Sequence, residues 1–297
     1  MGIFPRSPEL IKATRDFDRG RCKKGELERI RREDVKRLIK YQKDFEYIID
    51  GGLLWQDILR PFTTIKGIEE GPLVRFFKTN TFYRRPIIKG RVEFESEFIE
   101  RFFYLDLIPE RMKVNLPGPI SLFYLSEDRY KRDTPFMIAE ILSEVSKHLE
   151  RRGVESIQFL EPGVSPEINS EFWREIYGIV TENLRVETSI HLYFTDVSEI
   201  REVFDFPVDG IGIDFVSTSV DNLKINTSKK VGIGYIDAQN SLLEDTEEVI
   251  SFVKGIVKRL GLKRFYLCPN CALDFLPYSV ALRKLEILEE AGERLKG

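Results

Sequence analysis

The chain has 297 residues, 42% hydrophobic and 32% charged, with a formal net charge of −3. Such a balance leaves no excess of Lys and Arg to neutralise phosphates, so nucleic acid is not expected as a partner, and no apolar run approaches the ~20 residues that span a bilayer, so no membrane is expected either. Three cysteines and a charged opening stretch without a hydrophobic signal core point to a reducing cytoplasm and no disulfide framework.

Apolar positions at three- and four-residue steps predict a helical stretch over residues 7–45, with Ser7 as its cap. The period then changes to a short strand over 47–49 that ends at Asp50-Gly51-Gly52. Residues 53–86 are irregular and aromatic, and 87–94 partly alternate and read as a strand, with the arm of a hairpin as the alternative. A regular rhythm follows: strands over 113–116, 156–160, 187–194, 210–215, 230–236 and 264–267, with helices over 134–152, 167–183, 197–204, 246–260 and 278–295 between and after them. Thr134 and Pro135 form a good helix start. Strand starts at Tyr47, Ile87, Lys113, Ser156, Glu187, Gly210, Lys230 and Arg264 make eight. Eight strand–helix units in one chain of this length predict a (β/α)8 TIM barrel, a single domain over 1–297 with an N-terminal helical extension over 1–45. The alternative, an open doubly wound sheet, lacks a Gly-x-Gly-x-x-Gly after its first strand. The abundance of Lys, Glu and Arg over Met and Cys leans toward a thermophile.

In a barrel the C-terminal strand ends converge on one mouth, where functional side chains sit. Those ends carry Asp50, Asn115, Glu161, His191, Asp214, Asp237 and the pair Cys268 and Cys271, with Trp55 shortly after the first. Imidazole, carboxylate and thiolate brought together from separate strands suit Zn²⁺. A metal set of His191, Asp214, Cys271 and Cys268 is therefore weighed against side chains that simply hydrogen-bond one another. Asp50, Trp55, Asn115, Glu161 and Asp237 are the candidate substrate-binding residues. Trp55, Phe76, Phe77, Phe82 and Tyr83, with Arg75, Arg84 and Arg85 nearby, either stack on a flat ligand or form a hydrophobic cluster that closes the barrel floor or makes a subunit interface. Cys268-Pro269-Asn270-Cys271 also allows a thiol redox reading, without the small βαβ setting such a pair usually has.

Several short stretches, in shared order and spacing, resemble the cobalamin-independent methionine synthase family, especially its short, archaeal-type single-barrel members. They are Gly2-Ile3-Phe4-Pro5-Arg6-Ser7, Asp50-Gly51-Gly52-Leu53-Leu54-Trp55-Gln56-Asp57, Leu116-Pro117-Gly118-Pro119, Ile157-Gln158-Phe159-Leu160-Glu161-Pro162, Ser189-Ile190-His191, Gly232-Ile233-Gly234-Tyr235-Ile236-Asp237 and Cys268-Pro269-Asn270-Cys271-Ala272-Leu273. The resemblance implies methyl transfer from a folate- or corrinoid-bound donor to the sulfur of homocysteine, on a zinc ion held by His, Cys, Glu and a second Cys. Carried over, His191 matches the histidine, Asp214 falls at the glutamate, and Cys271 matches the late cysteine. The chain departs from the family where His-x-Cys becomes His191-Leu192-Tyr193, where Asp-Glu-Pro becomes Leu160-Glu161-Pro162, and at Gly52 or Leu53, where an acidic residue is expected. Cys268 is the candidate substitute for the missing thiolate. Full-length relatives carry two related barrels of which one holds zinc, so these departures imply a divergent member acting with a partner barrel of the same family. The alternative is a non-catalytic paralogue that binds the methyl donor or acts as a scaffold.

Overall fold

The computed structural model describes residues 2–296. Helix α1 (Pro8–Asp18) starts where the Ser7 hydroxyl accepts from the Leu10 N–H, and α2 (Lys24–Lys40) follows. The single helical stretch expected over 7–45 is thus broken, because Gly20 takes a left-handed φ of 70° and turns the chain. Leu10, Ala13 and Leu27 pack the two helices together in a small cluster separate from the main core.

Strands β1 (Lys66–Arg75) and β2 (Phe82–Glu93) pair antiparallel, and α3 (Glu97–Phe102) leads on to β3 (Lys113–Pro117). After it come α4 (Pro119–Tyr124), β4 (Glu127–Asp128), α5 (Thr134–Arg151), β5 (Ser156–Pro162), α6 (Ser170–Thr181), β6 (Glu187–Tyr193) and β7 (Gly210–Asp214). Strand β8 (Lys230–Ile236), α7 (Thr246–Leu260), β9 (Phe265–Pro269) and α8 (Tyr278–Lys296) complete the chain. Six strands form one parallel sheet in the order β3-β5-β6-β7-β8-β9, while β1, β2 and β4 form a separate small sheet.

Two extended segments span the gap from β9 back to β3. Ile48 makes a parallel bridge with Met112 just before β3. Phe4 donates its N–H to the Gly51 carbonyl at 2.8 Å, and Asp274 donates to the Ile3 carbonyl at 3.1 Å. Ile3 and Phe4 thereby join the 48–51 segment to the chain that leaves β9, and the ring is a (β/α)8 barrel of the TIM type. The strand beginning near Ile87, counted among the eight from sequence, is not one of its staves. A parallel crossover needs a dozen or more residues. Only the short turn between Arg75 and Phe82 precedes β2, so it folds back on β1 as a hairpin. The segment containing Ile3 and Phe4 stands in its place.

Alternation decides which side chains enter the barrel. Ile190, Leu192, Ile211, Ile213, Val231 and Ile233 are buried in the main core. The intervening positions hold Ser189, His191 and Tyr193 on β6, opposite Gly212 on β7 and Gly232 and Gly234 on β8. These glycines make space. A Cβ on Gly212 would lie 2.2 Å from Nδ1 of His191, and one on Gly232 would lie 2.4 Å from the Tyr266 ring. Gly212→Ala should therefore destabilise the fold by about 1–3 kcal/mol, the usual cost of overpacking a core. Urea titration of Gly212→Ala with and without His191→Ala checks this: the second change should recover part of the loss, and a strictly additive pair would contradict the contact.

Candidate active site

At the mouth, where the strands end, lies a cavity of about 470 Å³. Trp55, Phe76, Phe82 and Tyr83 line one side, and Leu160, Tyr193, Asp274 and Phe275 the other. The hairpin and its turn supply the aromatic side: Phe76 lies nearly parallel to Phe275 at 6.2 Å, and Phe77 and Phe194 pack edge-on at 5.6 Å. The aromatic stretch read from sequence is thus a wall of the mouth and not a floor. Trp55 donates its indole N–H to the Phe102 carbonyl at 2.9 Å and packs edge-on to Phe62 and Phe103.

The strand-end carboxylates face their own backbone. Asp50 is buried and accepts from Gly52 N–H at 2.9 Å and Tyr104 N–H at 3.0 Å. Glu161, fully buried, takes Ile120 and Ser121 N–H at 3.1 and 2.7 Å, the Ser121 hydroxyl at 2.5 Å and the Tyr177 hydroxyl at 2.6 Å. It occupies the start of α4, where free N–H groups favour an anion. Burial nevertheless pushes its carboxyl up to about 7 against those bonds. Asp214 accepts from Phe194, Val216 and Ser217 N–H and from the Ser217 hydroxyl, between 2.8 and 3.1 Å. Asp237 caps its own turn through Gln239 N–H, and its N–H goes to Glu244, which also pairs with the buried Lys284 at 2.7 Å. Asn115 lies with Asp50 and Trp55 around a small void of about 20 Å³.

His191 and Cys271 come to the same end of the barrel. The His191 ring is buried, and its Nε2 lies 2.7 Å from the carbonyl oxygen of Asn270, the residue beside Cys271. A carbonyl only accepts, so Nε2 carries the proton. Burial pushes the imidazole down to about 3, which keeps it neutral. Nδ1, left with the lone pair, packs on Gly212. Burial also raises both thiols, Cys268 to about 11. Cys268 opens on a different cavity, beside Lys113 and Tyr266.

The zinc set implied by the family resemblance does not fit these residues. His191 Nε2 is committed to the Asn270 carbonyl, Asp214 is committed to four donors, and Tyr193 stands in sequence where the family resemblance places the second thiolate. Cys268 does not replace it, because it faces a cavity that the mouth residues do not line. Among the described residues no group of three or more His, Cys, Asp and Glu side chains is arranged to hold a metal ion.

Of the residues singled out from sequence for metal or substrate, Trp55 alone lines the large mouth cavity. Three others there carry charge, Arg6, Asp57 and Asp274, and Asp57 is committed to Leu59 N–H, Arg60 and Arg84 N–H. Arg6 donates to the Trp55 carbonyl at 2.8 Å, and burial together with Arg31 and Arg60 pulls its guanidinium below the usual range. Asp274 has a solvent-shielded Oδ1 without a hydrogen-bond partner among the described residues, and burial pushes its carboxyl up to about 7. Arg6 falls within the Gly2–Ser7 stretch, and Asp274 lies one residue beyond Cys268–Leu273. Nothing local marks either as a cavity residue.

Because the folded carboxyl of Asp274 titrates near 7 against an ordinary value of 3.8, the fold holds its proton more tightly than the unfolded chain does. Its contribution to stability is complete at acid pH and is lost as pH rises from about 4 to 7. Asp274→Asn should flatten the stability profile across that window and leave the protein more stable than the parent above it. Thermal unfolding at a series of pH values checks this, and an unchanged slope would contradict the burial of the carboxyl.

The family model described as "Cobalamin-independent synthase, N-terminal domain" matches residues 64–261. The chain is 26% identical over 225 residues to a protein named methionine synthase from Sulfurisphaera tokodaii, a match covering 72% of this chain and 66% of that protein. It is 25% identical over 301 residues to the 5-methyltetrahydropteroyltriglutamate–homocysteine methyltransferase of Thermotoga maritima, covering 92% of this chain and 41% of that one. The match therefore spans less than two thirds of these relatives, although it spans 92% of a methionine synthase from Saccharolobus solfataricus at 23% identity. Among solved structures, a B12-independent methionine synthase from Shewanella shares the fold with a TM-score of 0.79 at 21% identity, over 93% of this chain and 90% of that one. With two thirds of its length matched by that model, the chain belongs to the cobalamin-independent methionine synthase family.

Proposed function

We propose that this chain serves methionine-synthase-like methyl transfer to homocysteine or a related thiol, as a divergent member that holds the methyl donor and works with a partner barrel. The observation that carries this reading is the mouth cavity: about 470 Å³ in volume, aromatic on one side and charged at Arg6, Asp57 and Asp274. Flat conjugated rings stack well on such walls, and the volume falls in the usual range for small-molecule sites. Trp55, Phe76, Phe82 and Tyr83 would hold a bicyclic ring. Asp274 would exchange hydrogen bonds with the ring's polar edge, as donor when protonated and acceptor when ionised. Arg6 would attract an acidic tail. The Thermotoga relative's name includes such a donor, a methylated pteroyl triglutamate. Activation of the acceptor thiol is assigned to the partner, because His191, Asp214 and Cys271 are committed within this chain.

The isolated chain should then bind methyltetrahydrofolate, read as quenching of Trp55 fluorescence, and Phe76→Ala should weaken that binding about tenfold, the equivalent of ~1.4 kcal/mol. It should not transfer the methyl group to homocysteine at an ordinary enzymatic rate of ~1 s⁻¹. Turnover at that rate by the chain alone, abolished by His191→Ala, would overturn the reading. Zinc should leave the melting temperature unchanged, since only a ligand that favours the native state raises it. A rise that disappears in Cys271→Ala would restore a metal site here.

A further inference from the structure

A second cavity, of about 310 Å³, lies at the seam between β9 and residues 44–49, toward the end of the barrel where strands begin. Lys113 opens β3 and Lys230 opens β8, and both ammonium groups face the same two aromatic rings. Nζ of Lys113 is 5.9 and 5.6 Å from the ring centres of Tyr47 and Tyr266, and that of Lys230 is 5.8 and 5.7 Å away. Their other partners differ. Lys230 pairs with Glu46 and lies 3.7 Å from Glu187. Among the described residues, Nζ of Lys113 has no carboxylate within 4.0 Å, Glu187 and Glu46 acting on it only from farther off; its side chain lines the cavity.

Charges partly withdrawn from water are normally paired, because desolvation costs more than ring contacts return. Here one of two neighbouring ammonium groups has its carboxylates and the other has open volume. Burial lowers the Lys113 amine to about 8, so it remains mostly protonated at neutral pH and still wants an anion. The rest of the cavity restricts which anion. Phe45, Leu288 and Leu295 form an apolar wall, and Glu46 and Glu187 nearby disfavour a dianion such as phosphate. At its rim stand Asp44, Glu289 and Glu293, which suit an ammonium group on the same ligand.

We propose that this cavity binds a small organic monocarboxylate with an apolar body, its carboxylate seated on Lys113 between Tyr47 and Tyr266 and its carbon skeleton against Phe45, Leu288 and Leu295. The chemistry is met by a branched fatty acid or by an apolar amino acid. Nothing in it depends on the mouth cavity, so it stands or falls apart from the function proposed above.

Calorimetric titration and thermal unfolding of the full chain test it with isocaproate, L-leucine and, as an uncharged isostere, isocaproamide. At least one carboxylate should bind saturably and raise the melting temperature, and the amide should bind at least tenfold more weakly. Binding of both carboxylates identifies a plain carboxylate site, and binding of leucine alone identifies an amino-acid site that also uses the acidic rim. Lys113→Met should abolish binding and raise the melting temperature of the ligand-free protein, since it removes an unpaired charge without removing volume. Leu288→Trp, which fills the cavity and keeps the lysine, should also abolish binding. The proposal is overturned if neither carboxylate binds, if binding survives in Lys113→Met, or if the amide binds as well as the acids.

Discussion

The contact on which the mouth of this barrel depends is the one between His191 and Asn270. It joins β6 to the turn after β9 across the barrel interior, at 2.7 Å and out of water. Its geometry requires glycine at position 212, where any side chain would strike the ring. The same turn is held from a second side, since the Asn270 side chain accepts from Ala238 N–H at 2.8 Å and its own N–H reaches the Ile236 carbonyl at 2.9 Å. The turn bearing Cys271 is therefore pinned by β6 and β8 together. A histidine held in this way is a structural strut, neutral across the physiological range.

The carboxylates follow the same logic. At a strand exit an acidic side chain either faces a ligand or satisfies the N–H groups of the loop that follows. Asp50, Glu161 and Asp214 do the second, taking two, four and four donors. Gly118 permits the closest of these approaches, because a Cβ there would lie 2.1 Å from Glu161 Oε1. Loops that would otherwise be free to adapt around a substrate are fixed by these bonds. What remains open at the mouth is the space between the aromatic hairpin and the segment after Cys271, with Arg6, Asp57 and Asp274 as its charged groups.

Two incompletely matched charges stand beside cavities at opposite ends of the ring. Near the strand exits stands a carboxyl with a shielded, unpartnered oxygen; near the strand starts stands an ammonium between two rings. Both groups shift toward neutrality through burial, Asp274 upward and Lys113 downward.

The barrel class and the family were legible in the chain itself, because both rest on local information. Buried strands read as short apolar runs, amphipathic helices carry their own period and caps, and glycine- or proline-bearing turns mark the exits. The departures at Tyr193 and Leu160 were equally plain, being single residues within recognisable stretches. The identity of the staves was not. Ile3 and Phe4 carry no strand pattern and join the ring only through bonds to Gly51 and Asp274, whereas the better-patterned 87–94 stretch closes a hairpin because the turn before it is too short for a crossover. Nor could spacing decide whether Asp214 or Glu161 faces a ligand or its own backbone, or that Cys268 and Cys271 open on different surroundings. Those outcomes depend on which N–H groups the folded chain leaves unpaired nearby, a quantity set by contacts between residues tens to hundreds of positions apart. Lys113 stands for the general case: in the sequence it is an ordinary charged residue opening a strand, and only the closed ring sets it between two tyrosine rings beside a cavity, with no carboxylate within 4.0 Å among the described residues.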